Sequence, residues 1–234
     1  MSVRSGTLPE ITRPGVGVVM VSRWRVGTPE RQRATVEAIG HAWRSREWPD
    51  TGLLSYSVLT GNDGNTLLHY SQWSGVEAHA EFARTFRDER NAEIDAAVPG
   101  IERVGLRPYE LYRSADPAEG DSRVPGCVVI VEVEFEGPGA ERQKAWVDAV
   151  FEALASDPVP APGAISAGFH ASTDGTGVLN YAQWVTEQAH IDALAAPGDG
   201  IGSATEQWRR VQNYPGLTAS SVTRYTPALS LSAG

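Results

Sequence analysis

Sliding the chain against itself by 111 residues brings Val178–Trp184, "VLNYAQW", onto Leu67–Trp73, "LLHYSQW". The match extends well beyond that motif. Gly15 falls on Gly126, "ERQ" at 30–32 on "ERQ" at 141–143, and Gly52 on Gly163. Ser55 falls on Ser166, the Asp63-Gly64 pair on Asp174-Gly175, and Ala78-His79 on Ala189-His190. About a third of positions 15–79 are identical without a gap, several times what chance gives, so the chain is an internal duplication. A chain built this way folds as two similar units. Their bounds are expected at 15–113 and 126–228, with a tail over 1–14, a polar linker over 114–125 and a second tail over 229–234.

Each copy has the same order of elements. "VGVVMVSRW" and "CVVIVEVEF" are β-branched runs and predict strands. A helix follows, opened in the first copy by Thr28 as cap and Pro29 at the first helical position. Two strands come next, with an Asp-Gly turn signal between them in each copy. A second helix is expected from Ser74, with Ser74 and Glu77 as a capping box. In the second copy that helix breaks at "APGDG" and restarts near Ser203. A final strand closes each copy. The order β-α-β-β-α-β is the ferredoxin-like unit, and its fold class is α+β. One sheet face of such a unit needs cover. Two copies on one chain can supply it to each other, sheet to sheet, as an intramolecular dimeric α/β barrel.

Composition excludes several functions. A net charge of −9 argues against nucleic acid and against an anionic membrane surface. No apolar run reaches the length of a membrane span, and "MSVRSGTLPEITRPG" has no signal-peptide core, so a soluble, cytoplasmic protein is expected. Cys127 is the one cysteine, which rules out an internal disulfide and suits a small core residue. No His, Cys, Asp or Glu cluster has metal-ligand spacing, and the glycines of "PGVGVV" precede a strand, unlike a dinucleotide fingerprint. Any catalysis is therefore expected to proceed without metal or nucleotide.

Strand alternation puts Asn180, Ala182 and Trp184 on one face of their strand. Register then decides what lies opposite. A three-residue turn over Asp174–Thr176 pairs His170 with Asn180, Gly168 with Ala182 and Ser166 with Trp184. A two-residue turn shifts the pairing by one and sends His170 to the other face. The first register is the expected one, because it gathers small residues beneath a Trp, an Asn and a His and so leaves a cavity. Each of these residues also has a purely structural reading, as core or as a satisfied hydrogen-bonding group. His79 and His190, on helices beside the strands, are equally open.

The repeat with "LNYAQW" followed by "TEQAH" resembles the antibiotic biosynthesis monooxygenase family of dimeric α/β barrels. It most resembles the small cofactor-independent oxygenases that convert polyketide anthrones to quinones. The resemblance implies an oxidoreductase that uses O2 as co-substrate and no cofactor, and acts on an aromatic polyketide. It implies Asn180, Trp184 and His170 as the catalytic set. Ser166, Gly168, Ala182, His190, Trp73 and His69 are then further pocket residues. Most such relatives are single-copy homodimers, so this chain is expected as a pseudo-dimer, with further self-association open. The first copy departs from the pattern, with His69 at the Asn position and Leu59 at the His position. The second copy is therefore expected to carry the activity; the alternative is that His69 is a better base than any group of the second copy and makes the first copy the active half. A cyclase or dehydratase of the same fold and a non-catalytic binding barrel are the competing readings.

Overall fold

The computed structural model describes residues 3–5, 8–157, 161–196 and 200–233. The elements of the first repeat, in chain order, are β1 (Val3–Ser5), β2 (Val18–Arg25), α1 (Pro29–Arg44), β3 (Leu53–Gly61), β4 (Thr66–Trp73), α2 (Val76–Thr85), α3 (Arg87–Ala97) and β5 (Glu102–Ala115). The second repeat adds β6 (Cys127–Phe135), α4 (Ala140–Ser156), β7 (Ala164–Ser172), β8 (Gly177–Trp184), α5 (Glu187–Ala195), α6 (Glu206–Gln212) and β9 (Leu217–Ala233). Both repeats are ferredoxin-like and α+β, as the sequence predicts.

Two compact units result. The first comprises Met1–Tyr109 with Tyr225–Gly234, the second Glu110–Arg224. The chain's final residues thus belong to the first unit, where β9 pairs with β3 from Ser55 opposite Ser232 to Gly61 opposite Tyr225. Strand order there is β1-β9-β3-β4-β2-β5. In the second unit the order is β7-β8-β6, and β6 also pairs with β9.

Local chemistry explains the elements. Thr28 caps α1 by accepting from the Arg31 N–H at 3.3 Å, and Pro29 occupies the first turn. Ile39, Ala42 and Trp43 then share the buried face of α1. The repeated glutamine of "ERQ" has a structural job. Gln32 donates to the carbonyls of Gly61 and Thr66, at the two ends of the β3–β4 hairpin. Gln143 does the same at Ser172 and Gly177 of β7–β8. Each helix is thereby fastened to its hairpin by buried side-chain hydrogen bonds.

α2 departs from expectation. Its cap position is Gly75, with no side-chain cap bond, so the Ser74–Glu77 capping box does not form. The Ser74 N–H instead donates to the Gly52 carbonyl, which holds Ser74 against the start of β3. The helix also breaks at Phe86, so α2 and α3 replace the single helix expected. In the second repeat α5 ends at Ala195 and α6 begins at Glu206 under a Thr205 cap. Of the expected break at "APGDG", residues 197–199 lie outside the described residues.

The hairpin register corrects a sequence expectation. Phe169 pairs with Asn180, His170 with Leu179, Gly168 with Tyr181 and Ser166 with Gln183. The turn has four residues, Thr173–Thr176, because Asp174 closes it locally. Its Oδ1 accepts from the Thr176 N–H at 2.9 Å and from the Ser172 hydroxyl at 2.6 Å, while Gly175 takes φ +77. An even loop moves the pairing by one, and a one-residue slip changes faces. The first repeat has the same register, with Val58 opposite His69.

Among the described residues, no helix is long and apolar enough to cross a membrane. Cys127 is a buried free thiol.

Candidate active site in the first unit

The corrected register splits the polar set expected of the second repeat. Asn180, Ala182 and Trp184 face the helices with Phe169 and Ala167 as neighbours. Ser166, Gly168 and His170 point from the opposite face. Ser166 donates to Gln183 there at 2.9 Å, a bond that Ser55 and Gln72 repeat in the first unit at 2.6 Å. His170 is fully buried, its Nδ1 3.0 Å from the Gly168 carbonyl, and burial lowers its pKa to about 4. It does not meet Asn180 or Trp184.

Trp184 packs among Cys127, Val129 and Ala182, and His190 approaches its edge at 4.8 Å between ring centroids. The Nδ1 of His190 accepts from Arg224 at 3.0 Å, and burial, with help from that arginine, lowers its pKa to about 4. The Asn180 Oδ1 is buried without a hydrogen-bond partner. Nearby, bulky rings occupy the helix side of this sheet. Trp146 and Trp208 lie in one core with Phe169, and Phe151 meets Phe169 at 5.3 Å. The 111-residue offset sets Thr35 opposite Trp146 and Gly40 opposite Phe151, so the first unit lacks both rings.

In the first unit the helix side of the sheet holds a cavity of about 270 Å³. Its floor comes from alternate residues of the strands: Met20, Ser22 and Trp24 of β2, Tyr56 of β3, and His69, Ser71 and Trp73 of β4. Trp43 of α1 and Phe82 of α2 form apolar walls, and α3 contributes Arg87, Arg90 and Ile94. No aspartate or glutamate is among the described residues lining it. That is notable in a chain of net charge −9.

Hydrogen bonds fix the floor. The Tyr56 hydroxyl lies 2.7 Å from His69 Nδ1, and Trp24 covers the imidazole at 4.2 Å between centroids. His69 Nε2 is buried without a partner. Burial, with the nearby Arg103 charge, lowers the His69 pKa to about 3, so the ring is neutral at physiological pH. Burial also raises the Tyr56 hydroxyl pKa, keeping it protonated. The Trp73 indole N–H donates to Ser71 at 2.8 Å, and Ser71 in turn donates to the Met20 carbonyl at 3.3 Å.

Arg90 is 3% exposed, a rare degree of burial for a guanidinium. It lies over Trp43 at 4.8 Å and touches the rings of Phe82 and Phe86. Its hydrogen bonds go to the carbonyls of Phe86 and Glu47, not to a carboxylate, and its Nε has no partner. Burial, with the Arg46 charge, lowers its pKa. Arg103 differs, being paired with Asp95 at 2.9 Å while it covers Trp24. The site therefore offers flat apolar walls, a neutral imidazole and a buried guanidinium that hydrogen-bonds no carboxylate, with the charges of Glu89 and Glu93 acting on it from nearby.

Of the residues singled out from sequence, His69, Trp73 and His79 line this cavity. Tyr56, Trp24, Trp43 and Arg90 escaped notice. The repeat itself held a signal for three of them. At the matching positions the second copy has Ala167, Phe135 and Leu154, so the larger, more polar aromatics are concentrated in one half. Arg90 sits in the charge-rich run "RTFRDERN", whose pattern suits a solvated helix face. Among the described residues, no group of three or more His, Cys, Asp or Glu is placed to hold a metal.

No family model matches the chain, and no curated protein does. Solved structures do match. An anthrone oxidase-like protein aligns over 99% of this chain and 97% of its own, with TM-score 0.68 and 18% identity. A monooxygenase described in Fusobacterium nucleatum aligns over 95% of this chain and 97% of its own, with TM-score 0.59 and 10% identity. A monooxygenase from the gene ActVA-Orf6 of Streptomyces coelicolor, solved with nanaomycin D, is 35% identical over 47% of this chain and 93% of its own, with TM-score 0.36. At the level of fold the chain is ferredoxin-like and similar to the anthrone oxidase-like protein and the Fusobacterium nucleatum monooxygenase.

Proposed function

We propose that the protein is a cofactor-independent monooxygenase that oxidises a flat aromatic polyketide, of anthrone or naphthol type, to a quinone with O2. The pocket of the first unit is its active site. One observation carries this reading: the helix-side cavity pairs stacked aromatic walls with a buried arginine that hydrogen-bonds no carboxylate. The fold likeness to an anthrone oxidase-like protein supports it at the level of fold.

The chemistry follows from the substrate. Ground-state O2 is a triplet and reacts slowly with closed-shell carbon. An anthrone becomes reactive by losing a C–H proton to give an electron-rich enolate. The enolate passes one electron to O2, and the carbon radical and superoxide combine into a C–O bond. The resulting peroxide loses water across its remaining C–H and O–O bonds, leaving a carbonyl. The balance is CH2 plus O2 giving C=O plus H2O.

The protein's part is to favour the enolate and hold it dry. Trp43, Phe82 and Trp73 supply flat apolar surface. The Arg90 charge stabilises the anion in a low-dielectric site, where it is worth far more than in water. His69 Nε2 is the polar atom left for the developing oxygen charge. One such preorganised group contributes on the order of 10²-fold in rate. The cavity lies just below the roughly 300 Å³ at which drug-sized pockets begin, so it suits a compact ring system.

Oxygen consumption with 1,8-dihydroxyanthrone tests the reading. Uptake well above the uncatalysed rate, with one water formed per quinone, is expected. Uptake no faster than autoxidation would sink it. A melting shift with the same compound but no turnover would leave a binding protein.

A further inference from the structure

His69 stands where the second repeat has Asn180, and its partner Tyr56 stands where the second repeat has Ala167. The two replacements come together, and their geometry gives a reason. The Tyr56 hydroxyl and His69 Nδ1 are 2.7 Å apart in a buried site, so one of them donates to the other. If Nδ1–H donated to the phenol oxygen, the phenol O–H would need an acceptor of its own. No acceptor is bonded to it, and a buried unmet donor costs about 1–3 kcal/mol. If the phenol donates to Nδ1, its O–H is satisfied, the ring proton sits on Nε2, and Nε2–H is the one group left unmet, against two in the other arrangement, the phenol O–H and the bare Nε2.

We infer that His69 acts in the pocket as a fixed hydrogen-bond donor through Nε2–H, and that Tyr56 is the positioning residue that sets this tautomer. An imidazole held so does the work of an asparagine amide. It offers one N–H to an oxygen bearing negative charge and stays neutral at physiological pH. The enclosing rings keep it neutral, and Trp24 across its face keeps it from turning. This deepens the oxygenase reading, resting on it only for the identity of the oxygen that accepts. It distinguishes His69 from a general base, which would need Nε2 unprotonated.

Nitrogen-15 NMR of the full chain, labelled at its five histidines, reads the tautomer directly. His69→Asn removes one signal set and assigns it. The expected result is a neutral ring with Nε2 protonated, unchanged from pH 8 to about pH 5. A ring protonated at Nδ1, or one that titrates near the ordinary histidine value, would overturn the inference. In Tyr56→Phe the Nδ1 loses its donor, so both tautomers should appear. With 1,8-dihydroxyanthrone as probe, kcat should fall on the order of tenfold while KM holds. Activity should also survive better in His69→Asn, which restores an N–H donor, than in His69→Ala. Equal losses would contradict a donor role. If Tyr56→Phe does not fold, the spectrum of the unaltered protein still decides. If the probe is not oxidised by the unaltered protein, the oxygenase reading fails while the tautomer is still measured.

Discussion

Three buried histidines, His69, His170 and His190, have pKa values lowered to about 3, 4 and 4 because burial opposes their charged form. In the unfolded chain each returns toward about 6.5. Between those values the unfolded state binds more protons than the folded one, so stability rises with pH across the window. The contribution is present above about pH 6.5 and is lost as pH falls toward 4. Thermal melts from pH 7 to pH 4 should therefore show a falling Tm. His170→Leu takes the residue that the first repeat carries at this position, Leu59, and removes one of these groups. It should flatten part of that fall. A melting curve as steep in His170→Leu as in the unaltered protein would show that other groups govern acid stability.

At the scale of elements, the tight turns set what each strand displays. Gly175 has φ +77, and a Cβ there would stand 3.0 Å from the Gly139 N. Gly175→Ala should thus cost about 1 kcal/mol or more, read by urea denaturation, with the first-unit pocket unaffected. Thr28→Ala, which removes the α1 cap, should cost about 1 kcal/mol by the same measurement. Elements of this kind were largely legible beforehand, since Thr-Pro and Asp-Gly act through neighbours in sequence. Loop length was not legible. The Asp174 carboxylate accepts from Ser172 and Thr176, and that local bonding made the turn one residue longer than expected. The slip moved His170 away from Asn180. Ser74 was lost to capping for a tertiary reason, its N–H being bound to Gly52 across the sheet's end. Arg90 was illegible because what distinguishes it is burial against the Trp43 ring of α1, more than forty residues earlier, together with Phe82 and Phe86, and a charge-rich local pattern does not encode that.

For the whole molecule, two copies of one plan have diverged through volume. Trp146 and Phe151 occupy the helix side of the second unit, where the first has Thr35 and Gly40. The first unit also draws on the chain's last strand, with Leu229 and Leu231 in its core. A chain truncated after Arg224 leaves β3 without the partner that covers it from Ser55 to Gly61. It should melt lower and aggregate, because an open strand edge templates association. The central claim is that the first unit's pocket does the chemistry, and paired substitutions test it most directly. Oxygen-uptake rates with 1,8-dihydroxyanthrone should fall on the order of 10²-fold in His69→Ala and stay within a few-fold in Asn180→Ala, with folding verified by circular dichroism. A hundredfold loss in Asn180→Ala, with His69→Ala unimpaired, would contradict the assignment and place the activity in the second unit.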